Sequence, residues 1–208
     1  MSEELVRAWV AGWARSRGTP PPVAVPWGLR VDVGRPDQPV RHVLPQADEA
    51  SVRAVAEHVS TPLTWLRAFV PAEELAPWLP PAWSPGTQHR LMATDLRPAP
   101  APAVDGYRLT MTDDEGVVRA RVLAADGSPA AQGQAATVGA YVTFDQVVTE
   151  VAHQRRGLGS LVMRALANNA MEQGAVYGVL GATEEGRALY ESLGWKVHSP
   201  LAGFIYTP

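Results

Sequence analysis

The chain has 208 residues, a formal charge of −3 and 46% hydrophobic residues, which is enough to bury a core in one large or two small domains. Its Lys and Arg residues are scattered, so neither a nucleic-acid groove nor a polybasic membrane surface is expected. The lack of cysteine excludes disulfides, a thiolate nucleophile and cysteine metal sites. An acidic N-terminus without a long apolar run predicts a cytoplasmic protein.

The first part of the chain mixes helical and strand patterns. Ser2 is placed to cap a helix in which Trp9 and Trp13 share one face. The segments 28–33 and 40–44 alternate apolar and polar residues on either side of a Pro-Asp turn. They predict a β-hairpin.

A break in composition follows the next group of elements. Asp48 precedes a helical valine stripe, short helices interrupted by proline are predicted within 62–81, and 89–96 has the pattern of a strand. Three prolines then alternate with alanine between 98 and 102, which is typical of a stiff, extended connection. We therefore expect an N-terminal α/β region, 1–104, and a second region, 105–208.

The second region begins with a meander of strands. Two strands are predicted within 107–124, followed by one long strand from about Gln134 to Thr149. A strand of that length needs a bend, for which Gly139 or Phe144–Asp145 is a candidate. The remaining predicted elements are a helix after Gly157, a strand at 175–180, a helix at 184–193 and one or two strands through 196–206.

The stretch from Val147 to Ser160 combines a β-branched run, a basic turn with spaced glycines, and the start of an amphipathic helix. After Gly157 the apolar residues recur at helical spacing: Leu158, Leu161, Val162, Ala165 and Leu166. The first N–H groups of a helix lack intrahelical partners and carry partial positive charge, so this turn favours an anion. Arg155 and Arg156 add positive charge. An ordinary strand-to-helix connection is the alternative that a lone Gly-x-Gly leaves open.

Several other site types do not fit the spacing. Val162 stands where a dinucleotide fingerprint needs its third glycine, and no Gly-Lys-Ser/Thr follows the turn. The five histidines are never three to five residues apart, so a metal site is not expected. Ser160 lies in no Gly-x-Ser-x-Gly elbow, so it is not a nucleophile candidate.

The order of these parts resembles the GCN5-related N-acetyltransferase (GNAT) superfamily. The resemblance rests on a meander of strands, the turn Gln154-x-x-Gly157-x-Gly159, a helix, a short strand, and the segment Gly186 to Trp195 with the sequence GRALYESLGW. It covers Gly106 to about Tyr206 well and the first hundred residues poorly. It implies an α/β (α+β) fold with a mixed, mostly antiparallel central sheet flanked by helices, preceded by an N-terminal α/β extension.

The resemblance also implies a donor site for acetyl-CoA or another acyl-CoA, without a metal. In the family this turn binds the pyrophosphate through backbone amides, and the strands on either side of the helix splay to admit the pantetheine arm. The implied cofactor-binding residues are Val147, Val148, Thr149, Gln154, Arg155, Arg156, Gly157, Leu158, Gly159, Ser160 and Thr183. Thr183 stands where the family often has asparagine, and its hydroxyl is also suited to cap the following helix.

Two catalytic residues are implied in the same way. Tyr190 matches the family tyrosine that protonates the leaving thiolate, with simple packing of its ring as the alternative. Asp145 stands six residues before Val151, where some aminoglycoside-type members carry a carboxylate base. Local hydrogen bonding at a turn or bulge is an equally open role for Asp145.

These features together imply an acyl-CoA-dependent N-acyltransferase that transfers acetyl to a primary amine of a small molecule or peptide by direct attack. Without cysteine, an acyl-enzyme through a thiolate is excluded. Two alternatives stay open, a non-catalytic acyl-CoA-binding regulatory module and an acyltransferase whose donor is a pantetheinyl carrier protein.

No residue in the sequence identifies the acceptor. The first region is expected to close over it through the segment 65–83, which is rich in tryptophan. Alternatively, the first region completes a single catalytic domain, or it is a degenerate second copy of the fold. A homodimer is a further open possibility.

Overall fold

The computed structural model describes residues 2–208. Its helices are α1 (Glu3–Ser16), α2 (Glu49–His58), α3 (Ala72–Leu75), α4 (Leu158–Glu172) and α5 (Glu184–Ser192). Its strands are β1 (Val23–Val25), β2 (Gly28–Arg35), β3 (Gln38–Leu44), β4 (Trp65–Ala68), β5 (Trp83–Pro85), β6 (His89–Asp95), β7 (Tyr107–Asp114), β8 (Val117–Ala124), β9 (Pro129–Val138), β10 (Tyr141–Thr149), β11 (Tyr177–Ala182) and β12 (Lys196–Tyr206). Short 3₁₀ turns lie at Ala76–Trp78 and Val151–His153.

The strands form one continuous sheet. Their order is β1-β2-β3-β4-β12-β6-β11-β10-β9-β8-β7, and β5 pairs with β12 beside this path. Among the described strands, parallel pairing occurs between β3 and β4 and between β10 and β11, while every other pairing is antiparallel. The expected mixed, mostly antiparallel α/β fold is therefore confirmed.

Strands β6 and β12 connect the sheet segments of the two parts of the chain. β6 comes from the first 104 residues, but it pairs with all six residues of β11 and also with β12. The far end of β12, from Ala202 onward, pairs with β4 and β5. A domain boundary near residue 104 stays a prediction, and the sheet itself runs across it.

Helices cover both faces of the second half of the sheet. On one face, α4 buries the apolar stripe that its sequence predicts, including Leu158, Val162 and Leu166. On the other face, α1 packs against β9 and β10, and its Trp9 and Trp13 lie in a cluster shared with strands of both halves. A helix from the start of the chain therefore completes the core around the second half.

Among the described helices, none is both long enough and apolar enough to cross a bilayer.

Two local expectations were wrong. The predicted single strand from Gln134 to Thr149 is a hairpin, because the chain reverses at Gly139, which has a positive φ of 57°. Alternation continues on both sides of that turn, so the pattern alone did not reveal it. Ser2 occupies the N-cap position of α1 but its side chain makes no capping hydrogen bond, whereas Asp48 caps α2 as predicted.

Candidate functional site

A gap opens between the two parallel strands of the second half. β10 and β11 pair only over residues 141–143 and 177–179. Beyond that point β11 stays paired with β6 up to Ala182, while β10 continues along β9 to Thr149. The strands therefore diverge, and beyond Thr143 the edge of β10 that faces the gap is not paired with β11. The family resemblance implies a slot of this kind between the two strands; its use as a donor site stays a prediction.

The N-terminus of α4 lies at the end of β10 and is not neutralised by the protein. Gly157 is its N-cap residue, with a positive φ of 79°, and no side chain caps the helix. The first turn contains no acidic residue. A Cβ on Gly157 would meet no atom within 4 Å, so the glycine is needed for its backbone conformation and leaves the approach open. These features favour an anion at this position.

Gly159 serves a different purpose from Gly157. A Cβ at this position would lie 2.9 Å from Leu189 Cδ2 and 3.6 Å from Thr149 Oγ1. Only a glycine therefore lets the first turn of α4 approach both α5 and the end of β10 this closely. The candidate anion site, α5 and the slot meet at this point.

The two arginines of the turn have different environments. Arg155 is exposed, has a positive φ of 62°, and forms no ion pair among residues 2–208. Arg156 donates from Nη1 to the Tyr107 hydroxyl at 3.0 Å and from Nη2 to the Ala152 carbonyl at 3.3 Å. Arg156 therefore holds the turn in place, whereas the Arg155 guanidinium is free to contact a ligand.

Sequence reasoning did not find two residues that support this turn. The Tyr107 hydroxyl lies 3.0 Å from His153 Nδ1, and the two rings meet edge to face. Because Tyr107 begins β7 and His153 is in the turn, this contact ties the edge of the meander to the anion site. Within the turn, Gln154 donates from Nε2 to the Thr149 carbonyl at 3.3 Å.

Tyr190 lies in the last turn of α5. The residue is 8% exposed and its ring packs against Trp195. A Cβ on Gly186 would lie 3.2 Å from Tyr190 Cε2, so the ring extends back toward the N-terminus of the helix. The Thr183 hydroxyl accepts from the Gly186 N–H at 3.1 Å and caps this end, as one reading of the sequence proposed. The ring therefore extends toward the end of β11, on the side where the slot opens.

The environment of Tyr190 keeps it protonated. Burial, and to a smaller extent the charge of Asp145, raise the pKa of Tyr190 to about 12. The hydroxyl is therefore available as a hydrogen-bond donor throughout the neutral range.

Asp145 sits at a β-bulge, where β10 loses register with β9 between Asp145 and Val148. Its carboxylate accepts hydrogen bonds from the Ser16 hydroxyl and the Gln146 N–H, both at 2.9 Å. It also forms a two-pronged ion pair with the Arg17 guanidinium. The Gln146 contact fits the local hydrogen-bonding role, whereas the contacts with Ser16 and Arg17 tie the bulge to the end of α1. The role of a base stays a prediction.

Buried positive charge lies on the α1 side of the sheet. Arg41 and Arg67 are 7% and 5% exposed. The Arg41 guanidinium stacks on Trp13, 3.7 Å from the ring centroid. Burial, followed by the charges of Arg67 and Arg17, lowers the pKa of Arg41 well below its ordinary value. Asp145 is the carboxylate whose charge opposes this effect at Arg41.

Within residues 2–208, no group of three or more His, Cys, Asp or Glu side chains is arranged to hold a metal ion.

The segment 65–83, which was expected to close over the acceptor, packs mainly in a cluster with α2 and the end of β12. The residues beside the bulge come instead from the C-terminal end of α1. Coverage of the acceptor by 65–83 stays a prediction.

Comparison with known proteins agrees with this architecture. Residues 139–200 match the family model for FR47-like proteins. A GCN5-related N-acetyltransferase from Kribbella flavida is similar over 100% of this chain and 96% of its own, with a TM-score of 0.70 and 16% sequence identity. The chain has the GNAT fold.

Other GNAT structures show the same likeness. A GNAT-family protein from Novosphingobium aromaticivorans covers 99% of this chain and 98% of its own, with a TM-score of 0.62 and 16% identity. A tandem GNAT protein from the clavulanic acid biosynthesis pathway covers 77% of this chain and 69% of its own, with a TM-score of 0.53 and 16% identity. None of the curated proteins has significant similarity to the chain. The part matched by the family model contains β10, the turn, α4, β11 and α5, so the candidate site lies in the recognisable part of this GNAT fold.

Proposed function

We propose that the protein is an acyl-CoA-dependent N-acyltransferase that transfers acetyl from acetyl-CoA to a primary amine by direct attack on the thioester. One observation carries this proposal: the glycine-capped N-terminus of α4, free of carboxylates, lies at the mouth of the slot between β10 and β11. A ligand with a diphosphate at one end and an amide-bearing arm at the other is complementary to that arrangement.

The two ends of the donor have separate partners in this proposal. Main-chain N–H groups from Arg155 to Ser160 take the pyrophosphate, with the Arg155 guanidinium as an additional cation. The amides of the pantetheine arm pair with the free edge of β10 at 147–149, as an added strand would. Thr183 contributes to the end of the slot through its backbone, because its hydroxyl already caps α5.

Tyr190 assists departure of coenzyme A. A thiol has an ordinary pKa of about 8.5, whereas the pKa of Tyr190 is raised to about 12. Complete proton transfer from Tyr190 to the thiolate is therefore uphill. The hydroxyl instead stabilises the leaving sulfur by donating a hydrogen bond as negative charge develops on it.

Asp145 has two proposed roles that experiment can separate. As a base it would take the proton of the attacking amine, directly or through water. Its contacts with Ser16, Arg17 and Gln146 engage both carboxylate oxygens. We therefore favour a positioning role, in which Asp145 fixes the bulge and the end of α1. In that case coenzyme A leaves as the thiolate, and the proton lost by the attacking amine passes to solvent water.

We also propose that the first region is a degenerate second copy of the fold. β3, α2 and β4 repeat the arrangement of β10, α4 and β11, with a parallel strand pair joined by a helix. The capping carboxylate of Asp48 occupies the N-terminus of α2. The donor site is therefore assigned to the second copy alone.

Calorimetry tests the donor site. Acetyl-CoA is expected to bind, and S-acetylpantetheine, which lacks the nucleotide and the diphosphate, is expected to bind at least roughly 100-fold more weakly. Equal affinities would contradict the anion site and favour a pantetheinyl carrier protein as donor.

The transferase activity is tested by screening amines for release of free coenzyme A. Release that depends on the amine, with the acetylated amine detected by mass spectrometry, is the expected result. Tight binding of acetyl-CoA without turnover of any amine would contradict the proposed activity and favour a non-catalytic binding module.

A further inference from the structure

A cavity of about 330 Å³ lies beside the bulge of β10, on the α1 side of the sheet. Four arginines from three parts of the chain line it: Arg17, Arg35, Arg119 and Arg121. Gln134 and Gln146 contribute amides to its wall. The cavity is therefore polar and rich in donors, and its volume suits a small molecule.

The positive charge of this cavity is only partly neutralised by the protein. Arg17 is paired with Asp145. Arg119 lies 3.2 Å from Asp114, whose side chain is 70% exposed, so that pair is weak. Arg35 and Arg121 form no ion pair within residues 2–208. Two guanidinium groups are thus available to an anion.

The fold explains why these groups converge. Ala120 and Val122 of β8 are buried in the cluster that packs against α4, so alternation directs Arg119 and Arg121 to the opposite face. Arg119 is registered with Gln134 on β9, and Gln134 Nε2 donates to the Ser16 carbonyl at 2.6 Å. α1 ends at Ser16, which leaves the next part of this face uncovered.

The cavity and the slot share one segment of backbone. Gln146 lines the cavity and is also the bulge residue with a positive φ of 54°. Its neighbours 147–149 form the free edge of β10 that we assign to the pantetheine arm. A molecule held in the cavity is therefore beside the segment that we assign to the pantetheine arm of the donor.

We propose that this cavity binds the anionic group of the acceptor, so that the acceptor is a small amine that also carries a carboxylate or a phosphate. The inference rests on the proposed N-acyltransferase function. Guanidinium groups bind both anions through paired hydrogen bonds, so the shared chemistry is a negatively charged group of oxygen acceptors.

Matched pairs of amines test this substrate class. The pairs are glycine and glycinamide, β-alanine and propylamine, and O-phosphoethanolamine and ethanolamine. We expect kcat/KM to be at least roughly tenfold higher for the anionic member of one or more pairs. The pair that shows the preference identifies carboxylate or phosphate as the ligand. Equal rates, or a preference for the neutral member in every pair, would overturn the inference.

Substitution of the unpaired arginines tests the location. Arg35→Gln and Arg121→Gln should each raise KM for the preferred anionic amine by roughly tenfold or more, while the dissociation constant of acetyl-CoA does not change. Arg53→Gln is the matched control, because Arg53 is an exposed arginine on α2 that pairs with Glu49. Loss of acetyl-CoA affinity in Arg121→Gln would instead assign the cavity to a phosphate of the donor and overturn the inference.

A readout without an amine separates this inference from the proposed function. Binding of inorganic phosphate and of succinate is measured by NMR titration for the wild type, Arg121→Gln and Arg53→Gln. Weaker binding in Arg121→Gln alone supports the anion site even if no amine is acetylated. Binding of neither anion by the wild type would overturn the inference even if a neutral amine is acetylated efficiently.

Discussion

The molecule contains two units in which a helix joins a parallel pair of strands, and they differ at the N-terminus of that helix. In the first unit, Asp48 and Ser51 form a capping box on α2, and Glu49 adds a carboxylate to its first turn. β3 and β4 stay paired to their ends, Leu44 and Ala68. In the second unit, a bare glycine caps α4 and β10 separates from β11 after three residue pairs.

The difference is the reason for assigning the proposed donor site to the second unit and not to the first. A helix N-terminus attracts an anion only while its N–H groups are free, and Asp48 already accepts from the Ser51 N–H at 2.7 Å. Continuous pairing of β3 with β4 likewise leaves no edge for a pantetheine arm. The first unit contributes to the fold, whereas the second keeps the unsatisfied groups that a ligand needs.

The largest expected effect is on kcat and comes from removing the hydroxyl of Tyr190, which has no counterpart in the first unit. α3, which follows β4 as α5 follows β11, has the sequence AEEL and offers no counterpart of Tyr190. Tyr190→Phe should lower kcat by roughly 100-fold while acetyl-CoA affinity is retained, since only the donor to the leaving sulfur is lost. Steady-state kinetics and calorimetry check this result.

The pH dependence of kcat is a second test of the role assigned to Tyr190. Because the pKa of Tyr190 is raised to about 12, its hydroxyl should cause no loss of wild-type kcat up to about pH 10. Unchanged turnover in Tyr190→Phe across the pH range would contradict the assignment to the leaving group.

Introducing a carboxylate at α4 should make the second unit resemble the first. Ser160→Glu places a negative charge at the third helical residue and should weaken acetyl-CoA binding by roughly tenfold to 100-fold through repulsion of the diphosphate. Ser51→Glu is the matched control, because it puts the same charge at the same position of α2. Equal effects of the two variants in calorimetry would remove the distinction between the units.

The roles of Asp145 are separated by breaking its ion pair from either side. Asp145→Asn and Arg17→Gln should each lower the free energy of unfolding by about 2 kcal/mol, since both groups are largely buried and each loses its partner. In the positioning role, the two variants lower kcat by similar modest amounts. A loss of kcat confined to Asp145→Asn would identify the carboxylate as the base. Urea unfolding and steady-state kinetics provide the two measurements.

The smallest expected effect is on the pH dependence of stability and comes from His42 in the first unit. His42 on β3 is 3% exposed and its Nδ1 accepts from Trp27 Nε1 at 3.1 Å. Burial, followed by the charge of Arg30, lowers the pKa of His42 from 6.5 to about 4. The folded state thus disfavours the protonated ring, so stability is complete above pH 6.5 and falls as the pH drops toward 4.

The contribution of His42 should be roughly 1 to 2 kcal/mol between pH 7 and pH 5. In urea unfolding, His42→Gln should reduce this pH dependence. If the free energy of unfolding has the same pH dependence in wild type and variant, His42 is not the source of that dependence.

The sequence predicted the parts of the site that depend on neighbouring residues. The helical stripe after Gly157 and the spacing of the glycines are local patterns, and they predicted where α4 starts and which face it buries. Tyr190 was placed on a helix by the same kind of reasoning, and α5 was predicted within one residue of its end. In each case the interactions that decide the structure lie within one or two helical turns.

Contacts between distant residues could not be predicted in this way. The ion pair of Arg17 with Asp145 spans 128 residues, and the contact of Tyr107 with His153 spans 46. The insertion of β6 between β11 and β12 also leaves no local signal, because a strand of alternating residues carries no record of its partners. The arginine cavity depends on α1, β2 and β8 together, and no single stretch of sequence predicts it.

The exchange of strands between the two halves also constrains how the chain folds. Without β6, the six residues of β11 that pair with it would form an unprotected sheet edge, and β12 would lose its partner on that side. Neither half can therefore complete its sheet before the other is present, and many native contacts join residues far apart in the chain. We expect such a topology to fold slowly, and the slot between β10 and β11 to form only after both halves of the sheet are in place.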